Sequence, residues 1–278
     1  MKFYRYFLLV LFLIAATSFI PQKQISWTAI GDSITYLNDH TNETGDRITK
    51  GYLTRVTEQL PYLHYTNQGH NGWTVVRIAK EIEKLNLQKA DVYTVFLGTN
   101  DWWHGGKRGT MADYQNSTGL QTVYGAYRII TDKLKSLNPQ ARVILITPMQ
   151  RGDFVYIRNP KNNAWGSYKE KEGQTLEQFA EAVKAIAKLE NYEVVDLYHN
   201  SKLDVKYAVK FKRLKDSLTH QYQNFKYPAY TNIPFNAETD GYPYPPEAIN
   251  MTYDGLHPSD KGNEIIAGML IKVMKKIK

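Results

Sequence analysis

The chain has 278 residues, 42% of them hydrophobic, which suffices for one large core or two small ones. It contains no cysteine, and this excludes disulfides, thiolate zinc sites, a cysteine nucleophile and a lipid-modified cysteine anchor. The formal net charge is +8, but Lys and Arg are scattered, and the one tight cluster, Lys275, Lys276 and Lys278, reads as a solvated helix terminus. No basic stripe or RNA-binding motif argues for nucleic acid as a partner. The positive balance suits at most an acidic polysaccharide or membrane surface.

Lys2 and Arg5 precede a mainly apolar run from Phe7 to Ile20, followed by polar Pro21-Gln-Lys-Gln24. A short basic region and a short apolar one match an export signal and are short for a spanning helix. Ala15-Ala-Thr-Ser18 supplies small residues for cleavage without a clean A-x-A site, so an uncleaved anchor is the alternative. Residues 1–24 are therefore expected to be a signal peptide or N-terminal anchor, and 25–278 a single domain that is periplasmic, extracellular or on the cell surface. Contact with a membrane is expected only through that first segment.

Beyond the leader, strand and helix patterns alternate. Residues 26–30 read as a short buried strand, 48–60 as a helix stopped by Pro61, 63–67 as a second strand and 74–86 as a second helix. Asp91 to Leu97 is rich in β-branched and aromatic residues. A helix over about 119–137 ends at Asn138-Pro139, and Arg142 to Thr147 (RVILIT) is the clearest strand. Thr175-Leu-Glu-Gln178 is a capping box, with Leu176, Phe179, Ala180, Val183, Ile186 and Ala187 at helical spacing behind it. A fifth strand is expected at 192–197 and a last helix over about 259–276.

Five strands separated by helices predict a parallel sheet covered on both faces. Residues 150–172 and 198–252 break the alternation. They are long, polar and rich in Tyr, Pro and Asn, as functional loops are.

Four segments carry candidate chemistry. Ala29-Ile-Gly-Asp-Ser-Ile-Thr35 puts Ser33 just past the end of the first strand, the edge where open parallel sheets bind ligands. A serine there equally well caps the next helix. Asp254-Gly-Leu-His-Pro-Ser259 offers a carboxylate and an imidazole three residues apart, and a serine needs such a base to become a nucleophile. A turn leading into a capped helix explains Pro258 and Ser259 but not His257. Asn67-Gln-Gly-His-Asn-Gly-Trp-Thr74 has glycines where a strand turns into a helix, and Gly98-Thr-Asn-Asp101 follows the third strand. A backbone N–H of the first and the Asn100 amide of the second are candidate oxyanion donors.

In the order Ser33, Gly72, Asn100, Asp254/His257 these segments resemble the four blocks of the SGNH (GDSL-like) hydrolase family, over residues 26–277. The match is closest in GDSIT, GTND and DGLHPS, and it is to exported bacterial members. The resemblance implies a three-layer α/β/α sandwich with a flavodoxin-like parallel sheet of about five strands. It also implies a serine esterase with Ser33 as nucleophile, His257 as base and Asp254 as its orienting acid. The oxyanion hole would be Ser33 N–H, Gly72 N–H and the Asn100 side chain. The Gly block is the loosest match, because Asn71 stands where many relatives have a small residue, and Gly69 competes for the role of Gly72. No metal or cofactor is implied. His40, His64, His70, His104, His199 and His220 lack metal-ligand spacing. Asp32 reads as a turn residue and Asp101 as a brace for the Asn100 loop.

The substrate is less legible. Trp102 and Trp103 follow Asn100 closely and are candidate substrate-binding residues. Tyr156, Trp165, Tyr168, Tyr242 and Tyr244 add aromatic faces in the long loops, and such faces suit sugar rings. The expected reaction is O-deacetylation of a carbohydrate. The alternatives are lipid ester or lysophospholipid hydrolysis, acyl transfer to a sugar, and a non-catalytic carbohydrate-binding protein on the same scaffold.

Overall fold

The computed structural model describes residues 23–277. The expected signal or anchor therefore lies, but for its last two residues, outside the described residues, as does Lys278. Along the chain come the strands β1 (Ile25–Gly31), β2 (Leu63–Gly69), β3 (Val92–Phe96), β4 (Arg142–Ile146), β5 (Phe154–Val155), β6 (Asn163–Ala164), β7 (Glu193–Val195), β8 (Lys212–Lys215) and β9 (Tyr222–Phe225). The α-helices are α1 (Ser33–Tyr36), α2 (Tyr52–Gln59), α3 (Val75–Glu81), α4 (Thr99–Trp103), α5 (Met111–Gln115), α6 (Val123–Leu137), α7 (Leu176–Glu190) and α8 (Asp260–Met274). Among the described residues no helix is long and apolar enough to cross a membrane.

Five strands pair in parallel in the order β2-β1-β3-β4-β7. This is the flavodoxin-like order, and the expected α/β/α sandwich is the observed fold. Side chains alternate through the sheet because successive strand residues face opposite ways. In β3, Val92 and Phe96 join the core beneath α2 and α8, while Tyr93 and Val95 join the one beneath α3, α6 and α7. In β4, Ile144 and Ile146 face the first core, Val143 and Leu145 the second. Apolar residues on both faces are what a sheet buried on both sides requires.

The element boundaries differ from the periodicity in instructive places. The helix expected over 48–60 starts at Tyr52, because the N–H of Thr49 binds Asp260 at 3.0 Å and holds the preceding residues extended. That over 74–86 ends as regular helix at Glu81. Its last residues are tight turns, closed by Asn86 at φ 47°. Thr122, whose side chain accepts from Gly125 N–H, caps α6, which starts at Val123, about four residues later than expected, after a 3₁₀ turn. The two long segments are not bare loops. Residues 150–172 carry the β5–β6 hairpin and 198–252 the β8–β9 hairpin. Between them they bury a satellite cluster around Val155, Leu214, Tyr230 and Tyr244.

Candidate active site

The strand order reverses beside β1, so the carboxyl ends of β1, β2, β3 and β4 open onto one crevice. Each candidate segment leaves one of those ends or packs beside it. Ser33 is the first residue of α1, and Asp32 caps that helix through Oδ1, which accepts from Ile34 N–H at 3.0 Å. The turn is tight. A Cβ on Gly31 would come within 2.0 Å of Thr35 Oγ1, so only glycine fits there.

The Asp254–His257 loop sits just before α8, whose N-cap Ser259 accepts from Gly262 N–H. Asn263 Nδ2 holds the carbonyls of Pro258 and Ser259, both at 3.0 Å, and Val155 N–H binds the carbonyl of Asp254 at 3.1 Å. Gly255, at φ 92°, lies so close to the carbonyl of Asp153 that a Cβ would be 1.8 Å from its oxygen. The loop is thus clamped between α8 and β5.

Within this frame the three side chains form a chain of hydrogen bonds. Asp254 is fully buried, and its Oδ1 accepts from the N–H groups of Leu256 and His257 at 3.0 and 2.7 Å. Its Oδ2 lies 2.7 Å from His257 Nδ1, and His257 Nε2 lies 2.8 Å from Ser33 Oγ. A carboxylate only accepts, so Nδ1 carries the proton and Nε2 is left as the acceptor for the serine hydroxyl. Tyr253 stacks on the imidazole at 5.8 Å and Phe154 meets it edge-on at 5.4 Å, fixing the ring from both sides.

Gly72 and Asn100 line the same cavity of about 350 Å³ as Ser33 and His257. Gly72 has φ 71°, which favours glycine. Gly69 does not compete for its place. It ends β2 with its N–H bound to Asn67 Oδ1 at 2.8 Å, and a Cβ there would lie 2.1 Å from the backbone nitrogen of Tyr36. Its smallness serves the packing of β2 on α1. One N–H of the Asn100 amide donates to the carbonyl of Trp73 at 3.0 Å, which leaves the second free. Asp101 ties the two loops together, with Oδ2 accepting from Val75 N–H at 2.9 Å. Burial pushes the carboxyl of Asp101 up to about 7 and that of Asp32 up to about 6.

Trp102 and Trp103 part company. Trp103 borders the cavity, whereas Trp102 is 0% exposed in the core, its indole N–H bound to the carbonyl of Gln174. Adjacent residues of a helix point about 100° apart, so α4 can send only one of the pair to the crevice. The expectation that Trp102 binds substrate is therefore corrected. Tyr156 also borders the cavity, while Tyr244 is fully buried in the satellite cluster. Arg151, Phe154 and Tyr253 line the cavity and were missed from sequence. Arg151 follows β4, and the rule that placed Ser33 and Asn100 at strand ends would have flagged it. Among the described residues no group of three or more metal-ligating side chains comes together.

The sequence pattern of the GDSL-like Lipase/Acylhydrolase family matches residues 29–265. A crystal structure of a possible lipase from Chitinophaga pinensis DSM 2588 is 60% identical, with a TM-score of 0.90, covering 91% of this chain and 99% of that one. A protein from Lactobacillus plantarum shares the fold at 18% identity and a TM-score of 0.61, covering 92% of this chain and 99% of its own. No curated protein matches in sequence. The chain belongs to the GDSL-like lipase/acylhydrolase family, the SGNH hydrolases. It is accordingly an ester-hydrolysing enzyme.

Proposed function

We propose that the enzyme, acting outside the cytoplasm, removes acetyl groups from a carbohydrate through an acyl-enzyme on Ser33. The observation that carries this reading is the hydrogen-bond chain Asp254–His257–Ser33 in the wall of a small cavity with mixed lining. His257 Nε2 takes the proton of Ser33 Oγ as the oxygen attacks the ester carbonyl. Asp254 keeps Nδ1 protonated and stabilises the imidazolium that forms. Negative charge then develops on the carbonyl oxygen. Ser33 N–H, Gly72 N–H and the free N–H of Asn100 are the donors for it. His257 returns the proton to the leaving alcohol. Water, deprotonated by the same imidazole, releases acetate.

A sugar is favoured over a lipid chain by what surrounds the serine. Trp103 and Tyr156 line the cavity with aromatic rings, and Glu43, Asn71, His104 and Asn162 offer hydrogen-bonding groups around them. The volume lies near the lower end of the roughly 300–1,000 Å³ of small-molecule sites.

Hydrolysis of p-nitrophenyl esters from acetyl to decanoyl by the full chain tests this, followed by acetate release from acetylated polysaccharides. Activity should peak at acetyl, and Ser33→Ala should lower kcat by about 10⁶-fold, as loss of a serine nucleophile does elsewhere. Activity rising with chain length would replace the sugar by a lipid ester. Undiminished turnover in Ser33→Ala would overturn the mechanism.

A further inference from the structure

Arg151 is a buried cation without an anion. Its side chain is 1% exposed, yet it lines the cavity that holds Ser33 and His257. Of its five N–H donors, one is accounted for by the bond from Nη2 to the carbonyl of Trp165 at 2.6 Å. Nε is buried with no acceptor, and so is the indole N–H of neighbouring Trp165. The guanidinium carbon lies 5.3 Å from the ring centre of Trp102 and 5.2 Å from that of Trp103. Two aromatic faces hold the charge in place but accept none of its in-plane hydrogen bonds.

The nearby carboxylates are committed elsewhere. Asp153 pairs with Lys212 Nζ at 2.8 Å and accepts from Tyr168 Oη and Gly166 N–H. Asp254 is taken by His257 and two backbone N–H groups. Among the described residues no carboxylate lies within ion-pair distance of Arg151. Burial lowers its pKa from 12.5 to about 10, which leaves it charged at neutral pH. A buried charge with unmade hydrogen bonds is costly to keep unless something completes it. Nη1 makes no hydrogen bond among the described residues and, unlike Nε, is not sealed off, so the cavity that Arg151 lines is the side from which a partner can reach it.

We propose that Arg151 binds a carboxylate of the substrate, so that the enzyme prefers esters bearing an acid group beside the scissile bond. The planar guanidinium fork matches a carboxylate in shape as well as charge. This rests on the esterase reading for its use but not for its test. The carboxylate can belong to the alcohol, as in an acetylated uronic acid, or to the acyl group, as in a half-ester of a dicarboxylic acid. The net positive charge of the chain favours either over a neutral substrate.

Binding to full-chain Ser33→Ala, followed by calorimetry, separates the inference from turnover. One arm compares methyl galacturonoside with methyl galactoside. The other compares monomethyl succinate with methyl butyrate. The acid should bind at least about tenfold more tightly than its neutral partner in one arm, the factor of a charge-assisted hydrogen bond. The arm that responds identifies the source of the carboxylate. Arg151→Met, and to a lesser extent Arg151→Lys, should erase the discrimination. Should Arg151→Met not fold, the comparison in Ser33→Ala alone still decides. Equal or undetectable binding of acid and neutral partner in both arms overturns the proposal even if acetyl esters are hydrolysed. Discrimination without hydrolysis of any ester by the wild type would uphold the carboxylate site and remove the esterase reading instead.

Discussion

The two walls of the cavity are built by different means. The wall of Ser33, Gly72 and Asn100 grows directly out of the sheet. Each residue lies within five positions of the end of β1, β2 or β3, and helix caps and glycines fix its place. The opposite wall, with Arg151, Phe154 and Tyr156, stands on the segment after β4. It is held by a buried polar cluster and a satellite core contributed by residues up to a hundred positions later. A wall on a sheet edge inherits rigidity from the main core. A wall on a hairpin depends on a few specific contacts, and this allows its chemistry to vary while the first wall stays put.

Removing the ion pair beneath the second wall should have the largest effect. The Lys212 and Asp153 side chains are 4% and 12% exposed, so Lys212→Met strands a buried carboxylate. A loss of about 3–5 kcal/mol in urea unfolding is expected, with partial recovery in Lys212→Met/Asp153→Asn. A change under about 1 kcal/mol would mean that the wall does not depend on this pair.

The first wall should break differently. Asn100→Ala removes an oxyanion donor and should lower kcat by about 10²–10³-fold, with KM and the thermal midpoint little changed. A fall in stability with kcat per folded molecule preserved would make Asn100 a structural residue. The two variants together thus ask whether stability and chemistry are divided between the walls.

The most gradual effect concerns pH, and it is confined to the first wall. An ordinary Asp carboxyl titrates near 3.8, but burial raises Asp32 to about 6 and Asp101 to about 7. Between about pH 4 and 7 the folded chain therefore keeps protons that the unfolded chain has released. Folding takes up protons in that window, and stability falls as pH rises through it. Urea midpoints from pH 4 to 8 should decline accordingly. Asp32→Asn should flatten the part below about pH 6 and Asp101→Asn the part up to about pH 7, with the larger change in Asp101→Asn because its shift is larger. An unchanged slope in both variants would locate the titrating groups elsewhere.

Much of this was legible in the residues because local rules suffice for it. Alternation of apolar strands and amphipathic helices specifies a parallel sheet covered on both faces. Strand ends followed by Gly-Asp-Ser and Gly-Thr-Asn, with Asp254 and His257 before the last helix, mark the reactive edge. These patterns depend on neighbours in the chain, so the chain alone displays them. Which of Gly69 and Gly72 reaches the crevice was open, because both are glycines at a strand-to-helix turn. Only the packing of Gly69 against the backbone of Tyr36 separates them. Trp102 and Trp103 are equal as letters, and the rotation of α4 buries one and presents the other. The position of Arg151 after β4 marks it as a residue of the reactive edge, but nothing local shows that its charge is unpaired. Its unmet donors arise because Asp153 is claimed by Lys212, 59 positions away, and Asp254 by His257. Whether a charge is paired is a property of everything that surrounds it, and only the folded chain decides that.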